Sequence, residues 1–151
     1  MPKTIISDTS CFIVLSNIGE LELLRKVYGQ IITTPDVMLE YGQALPSWVE
    51  INSPDDKYTQ QILELQLDKG EASAIALAIE MPGSTIILDD YKARKLAEKL
   101  GLTITGTIGV VVKAKLRGII PSIKPYLDKI RKTDFHISEE LYRKAIVEAG
   151  E

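Results

Sequence analysis

Short apolar runs alternate along the chain with longer amphipathic stretches. Thr4-Ile5-Ile6-Ser7 is apolar and β-rich and ends in Asp8-Thr9-Ser10, after which Cys11-Phe12-Ile13-Val14-Leu15 continues apolar: a strand, a polar turn and a helix. Leu21, Leu24 and Val27 stand at helical spacing before Gly29, and Ile31-Ile32-Thr33 makes a second strand. Thr34-Pro35-Asp36 combines a capping hydroxyl, a proline at the first helical position and a first-turn acid, which predicts a helix carrying Val37 to Tyr41. From Gly42 to Lys57 turn formers dominate, broken at most by a brief strand at Trp48-Val49-Glu50-Ile51, and this is expected to be the most mobile region. Two helices follow, Tyr58 to Leu67 and Glu71 to Glu80, divided by Gly70. Thr85-Ile86-Ile87-Leu88 is the clearest strand and runs into Asp89-Asp90. A helix over Lys92 to Leu100 stops at Gly101, Thr103-Ile104-Thr105 is a further short strand, and Gly106-Thr107 opens another helix. Pro121 and Pro125 frame the start of two closing helices, the last around Glu139 to Val147.

This order predicts an α/β fold with a central parallel sheet of four or five short strands, covered by helices on both faces. Right-handed crossovers then place the C-terminal ends of the strands on one edge. The 151 residues suit a single domain, with 122–151 as a C-terminal helical extension or a dimer surface.

Composition narrows the chemistry. Hydrophobic residues make up 45% and charged residues 26%, as in a globular protein. The opening has no signal-peptide pattern and no apolar run approaches a membrane span, so a cytoplasmic protein without membrane contact is expected. One cysteine, Cys11, and one histidine, His136, exclude an internal disulfide and a set of soft ligands for structural zinc. Any metal chemistry falls to carboxylates. Cys11 reads as a small buried hydrophobe and His136 as ordinary surface or packing. The net charge of -3 conceals an asymmetry: residues 1–90 carry 5 basic and 14 acidic side chains, whereas residues 91–132 carry 11 basic and 2 acidic. That basic block suits a polyanion, or is simply the solvated face of Lys-rich helices.

Ligands of open parallel sheets bind beyond the C-terminal ends of the strands, which singles out Asp8 and Asp89-Asp90. Each also fits as a helix cap. Glu71 precedes Ile75 by four residues and Ala78 by seven, so it shares the apolar face of its helix, unless it serves only as a first-turn acid facing the helix dipole. Glu40 lies among Val37, Met38, Leu39 and Tyr41, either turned inward or as a rim residue. Four carboxylates gathered at one sheet edge repel each other unless a cation compensates, and hard Mg²⁺ or Mn²⁺ fits an all-oxygen set. Such a site suits phosphodiester hydrolysis.

Several segments resemble the PIN domains, a family of metal-dependent nucleases with a compact α/β/α fold. Ile5-Ile6-Ser7-Asp8-Thr9-Ser10 resembles the family's opening element, and Pro35-Asp36-Val37-Met38-Leu39-Glu40 its helix-borne second acid. Gly70-Glu71 with the Ala-rich run to Ala78 resembles the third, and Ile87-Leu88-Asp89-Asp90-Tyr91-Lys92-Ala93-Arg94 the fourth. Gly106-Thr107 is similar to a hydroxyl-bearing turn beside the site. The resemblance implies Asp8, Glu40, Glu71 and Asp90 as catalytic acids. The metal ligands it implies are Asp8, Glu71 and Asp90, with Asp89 as a second contributor beside Asp90, and Thr9, Ser10 and Thr107 as support. The Asp-Asp-x-x-Ala-Arg and Gly-Thr-x-Gly features resemble a prokaryotic subgroup related to the toxins of toxin–antitoxin modules. That likeness implies single-stranded RNA as substrate, a homodimer, and an antitoxin protein whose tail blocks the acidic site.

Other classes fit less well. An aspartyl phosphatase needs a second Asp two residues after the first, where this chain has Ser10, and a receiver domain pairs its acids after the first strand. Gly106-x-x-Gly109 alone does not make a dinucleotide loop. The competitor that survives is a catalytically inactive PIN-like module that binds nucleic acid or an antitoxin. In the nuclease reading, Lys92, Arg94, Lys95 and Lys99 on one helix and Lys113, Lys115 and Arg117 on another contact backbone phosphates. Tyr91 is expected to pack, with base stacking as the alternative.

Overall fold

A computed structural model describes residues 3–151. Five three-residue strands, β1 (Ile5–Ser7), β2 (Ile31–Thr33), β3 (Val49–Ile51), β4 (Thr85–Ile87) and β5 (Thr103–Thr105), form one parallel sheet in the order β3-β2-β1-β4-β5. The strands are connected by α1 (Thr9–Asn17), α2 (Glu22–Tyr28), α3 (Pro35–Tyr41), α4 (Lys57–Leu63), α5 (Lys69–Glu80) and α6 (Tyr91–Lys99), and α7 (Thr107–Leu116), α8 (Lys124–Arg131) and α9 (Glu139–Glu148) follow β5. This is the three-layer α/β/α arrangement expected from the alternation of short apolar runs and amphipathic stretches.

The sheet separates two cores, because successive side chains on a strand point to opposite faces. Ile5, Ile31 and Ile87 face a core built with α1, α2, α3, α7, α8 and α9. Ile6, Ile86 and Leu88 face a second core under α4, α5 and α6. Both faces are covered, which is why β1 and β4 are apolar without alternation and buried throughout. Residues 122–151 contribute Ile123, Leu127, Ile130, Ile137, Ala145 and Ala149 to the first core. Among the described residues no helix is long and apolar enough to cross a membrane.

Local chemistry sets the helix ends that matter for the site. Helix α3 starts as the sequence predicts, with Thr34 Oγ1 accepting from the Val37 amide and Pro35 in the first turn. Helix α4 ends at Leu63, short of the expected Leu67. Asp68 must be extended to cap α5, so the chain leaves the helix and makes a turn, keeping Leu63 and Leu67 in the second core. The Gly42–Lys57 segment, expected to be mobile, is tied down. Val49–Ile51 pairs with β2, and the amides of Asp55 and Asp56 each donate to the Glu80 carboxylate at 2.9 Å.

The strand order reverses direction between β1 and β4, and a crevice at such a switch point is the natural ligand site of a parallel sheet. Asp8 follows β1 and Asp89 follows β4, so the two flank it.

Candidate functional site

Asp8 leaves β1 with its amide donating to the Ile87 carbonyl at 3.1 Å, which extends the β1–β4 pairing by one residue. It occupies the cap position of α1 without making a side-chain cap. Its side chain is 4% exposed, and Oδ1 has no hydrogen-bond partner among the described residues. A buried carboxylate with an orphaned oxygen is costly, since desolvation penalises the charged form. Burial, with the acids Glu71, Asp68 and Glu40 adding to it, pushes Asp8 up to about 8 against the Thr9 amide, which opposes the shift.

Helix α5 brings the second acid. Asp68 and Glu71 form a reciprocal capping box: the Glu71 amide donates to Asp68 Oδ1 at 2.8 Å and the Asp68 amide donates to Glu71 Oε1 at 3.3 Å. Burial pushes Glu71 up to about 7, with Asp68, Asp90 and then Glu40 contributing repulsion. The first-turn role open to Glu71 in the sequence is therefore present, and the same residue lines the cleft beside Asp8. Asp68 was not singled out by the sequence pattern, although Asp-x-x-Glu before an apolar run is a recognisable capping signature.

Glu40, near the end of α3, is oriented by two donors. Thr9 Oγ1 donates to Oε1 at 2.7 Å and the Gly70 amide donates to Oε2 at 2.9 Å. The approach is so close that a Cβ at position 70 would lie 2.5 Å from Oε1. A side chain there would evict the carboxylate. Gly70 thus lets α5 reach Glu40, while the Thr34 and Ser73 hydroxyls, 2.6 Å apart, join α3 to α5.

The two acids after β4 divide. Asp89 accepts from Ser10 Oγ at 2.8 Å, the Thr107 amide at 2.8 Å and Thr107 Oγ1 at 2.6 Å. Asp90 is exposed and caps α6, accepting from the Ala93 amide at 3.0 Å, yet it is close enough to raise the proton affinity of Glu71. The supporting hydroxyls expected from the sequence therefore divide as well: Thr9 holds Glu40, and Ser10 and Thr107 hold Asp89.

Asp8, Thr9, Ser10, Glu40, Asp68 and Glu71 line one cleft, closed on its far side by Thr133, Asp134 and Phe135 from the α8–α9 connection. The sequence offers no sign that this connection reaches the acids. Cys11 is buried as expected, whereas Tyr91 is 73% exposed beneath Lys95 and does not pack into the core as expected.

The basic block does not make one surface. Helix α6 covers the second core and α7 the first, so their cations lie on opposite sides of the sheet. Lys113 and Arg117 both lie over the Tyr28 ring, Arg117 also donates to the Val27 carbonyl, and Lys115 pairs with Glu151. Arg94 donates to the Leu88 carbonyl at 2.7 Å, while Lys92, Lys95 and Lys99 are exposed.

The donor chemistry fits a hard divalent cation: the acids supply oxygen alone, Asp8 has a free buried oxygen, and the proton affinities of Asp8 and Glu71 are raised by burial first and by neighbouring acids second, both of which a cation would offset. Among the described residues no three acidic, His or Cys side chains converge on a common point as they stand. A family model described as PIN domain matches residues 4–151. No curated protein matches the chain.

Proposed function

Because the chain belongs to the PIN-domain family, a fold of the nuclease type, we propose that it is a metal-dependent nuclease hydrolysing phosphodiester bonds in single-stranded RNA. The observation that carries this reading is Asp8, a buried carboxylate with an orphaned oxygen, which lines the cleft at the switch point together with Glu71 and Asp68. Asp8, Glu71 and Asp90, with Asp89 beside them, are the residues that would hold Mg²⁺ or Mn²⁺. The ion, when bound, lowers the pKa of a water and stabilises charge building on the phosphate.

The chain's own groups supply the rest. Asp8 and Glu71 would release their protons to solvent on becoming ligands, and the proton that the leaving oxygen takes up then comes from solvent water. Glu40 is held still by Thr9 and Gly70, which fixes its carboxylate at the cleft wall without side-chain freedom to lose. Lys92, Lys95 and Lys99 on α6 are free to meet backbone phosphates. The finer assignment, a homodimeric toxin restrained by an antitoxin protein, is supported by the Asp89-Asp90-x-x-Ala93-Arg94 and Gly106-Thr107-x-Gly109 features. The exposed apolar side chains Leu39, Ile62 and Leu65 supply surface for a partner.

One observation favours a second reading, a non-catalytic RNA-binding module. Glu40, Asp89 and Asp90 are already occupied by internal donors, as in a structural network. Cleavage of a labelled single-stranded RNA separates the two. Mg²⁺ or Mn²⁺ should support cleavage and EDTA should stop it, and Asp8→Asn should lower the rate at least about 100-fold, beyond the range for residues that only orient a ligand. RNA binding with no cleavage in either metal would leave the second reading in place.

A further inference from the structure

Beyond the acidic cleft lies a cavity of about 400 Å³ between β5, α7 and α9. Phe135 borders both spaces, and Asp89, tied to Ser10 of the cleft, stands at the cavity wall. The two are neighbours separated by one aromatic ring and one carboxylate.

The cavity wall is mixed and more polar than apolar. Ile108, Leu141 and Phe135 give it apolar and aromatic patches, and Arg94, His136 and Lys144 supply polar groups among them. Of its carboxylates, Asp89 accepts three hydrogen bonds, while Glu148 stands one helical turn from Lys144 without an ion pair between them. Arg94 uses one nitrogen on the Leu88 carbonyl, and its other N–H groups donate to no further atom of the described residues. Gly106 lets Asp89 and Arg94 approach the start of α7 closely, since a Cβ there would lie 2.9 Å from Asp89 Oδ1 and 3.0 Å from Arg94 Nη1. The connection carrying Phe135 is anchored at both ends. Arg131 pairs with Glu139 at 2.8 Å and lies 3.9 Å from the centre of the Tyr142 ring, whose hydroxyl donates to Asp128.

We infer that this cavity receives a nucleobase of the strand beside the phosphate held in the cleft, with Phe135 as the stacking wall and Arg94 and Lys144 meeting the attached phosphate. The volume falls within the range of small-ligand sites, about 300–1,000 Å³. An aromatic wall with nearby cations is how single-stranded nucleic acid is held without base pairing. The inference rests on the nuclease reading, because it names a substrate unit of that same site.

His136 is the protein's one histidine and lines the cavity, so its ring resonances are an unambiguous NMR reporter. In EDTA, adenosine or uridine 5′-monophosphate should shift them saturably, the parent nucleosides should do so more weakly, and inorganic phosphate alone should not. Phe135→Leu should weaken nucleotide binding at least about fivefold. Lys144→Ala, at an exposed position, should weaken the nucleotide but not the nucleoside, and so tests the assignment even if Phe135→Leu folds poorly. Equal shifts with inorganic phosphate, a response only to an apolar peptide mimic such as N-acetyl-leucinamide, or no shift with any nucleotide would overturn it. Nucleotide binding without metal-dependent cleavage would remove the nuclease reading and keep the cavity assignment. Cleavage without a His136 response would do the reverse.

Discussion

The ends of β1 and β4 carry the same local signature, an apolar strand running into aspartate at the start of a helix, yet the two positions are opposites. Asp8 is buried and keeps an oxygen without a partner. Asp89 is half-buried and satisfied three times over, and Asp90 beside it is exposed and caps a helix. The physical difference is what packs around each. Asp8 lies at the centre of the sheet with other acids nearby, whereas α7 and α1 lie beside Asp89, where Thr107 supplies an amide and a hydroxyl and Ser10 a second hydroxyl. Identical sequence cues thus yield one group strained by its surroundings and one relieved by them. Strain of this kind, at a crevice, is where function is to be sought.

The largest effect should come from removing the strain. Asp8→Asn, besides abolishing cleavage, should stabilise the metal-free protein at pH 8 by about 2 kcal/mol, or ~4 °C in Tm. The sign follows from linkage. Asp8 is raised from 3.8 to about 8 and Glu71 from 4.5 to about 7 on folding, so the folded state holds more protons in that window. The contribution of these two groups to the stability of the wild-type, metal-free protein is therefore full below about pH 4 and is lost as pH rises towards 8. Thermal melts in EDTA across this range should show the fall in the wild type and a shallower one in Asp8→Asn. Added Mg²⁺ should raise the wild-type Tm more at pH 8 than at pH 5. Equal slopes in the two proteins would mean that Asp8 is not the strained group.

Next in size is the contrast within the pair after β4. Asp89→Asn sets an amide group against the Thr107 donors and should cost about 1–3 kcal/mol. Asp90→Asn keeps a good helix cap and should change stability by less than about 0.5 kcal/mol. Urea unfolding of both variants would erase the distinction if the costs were equal.

A smaller and more selective effect is expected at Gly70. The side chain in Gly70→Ala meets the flexible end of Glu40, not backbone, so folding should change by less than about 1 kcal/mol. Displacing Glu40 should nevertheless lower metal-dependent cleavage about 10-fold or more. Cleavage at the wild-type rate would show that the orientation of Glu40 is immaterial. The smallest change should be in salt dependence. Replacing Lys92, Lys95 and Lys99 together should reduce the log–log slope of RNA binding by about 2, at ~0.7 per phosphate contact. Replacing Lys113 and Arg117, which sit over Tyr28 on the other side of the sheet, should leave that slope unchanged.

How much of this was legible beforehand depended on range. Thr34-Pro35-Asp36 announced α3 because capping acts within one helical turn, and the alternation of short strands with helices announced the layers because burial imposes its period on the residues. The end of α4 is not legible, because the apolar spacing through Leu67 continues while the capping demand of Asp68 interrupts the helix. Asp68 carries a local signature too, the capping box it forms with Glu71, but that pattern marks a helix start and not a place at the cleft. The reach of Phe135 to the acids could not be read at all, since it depends on α8 and α9 folding back over the first core.

By itself, then, the sequence determined the strand and helix order, the acids that end up at the sheet's C-terminal edge, and the excess of cations after residue 90. All of these are set by composition, short-range spacing or backbone chemistry. Only the tertiary structure decided which acid is left unsatisfied, that the cations fall on two faces, and that an aromatic cavity adjoins the cleft. Desolvation and hydrogen-bond satisfaction depend on what packs nearby, and the neighbours that matter are dozens of residues away along the chain.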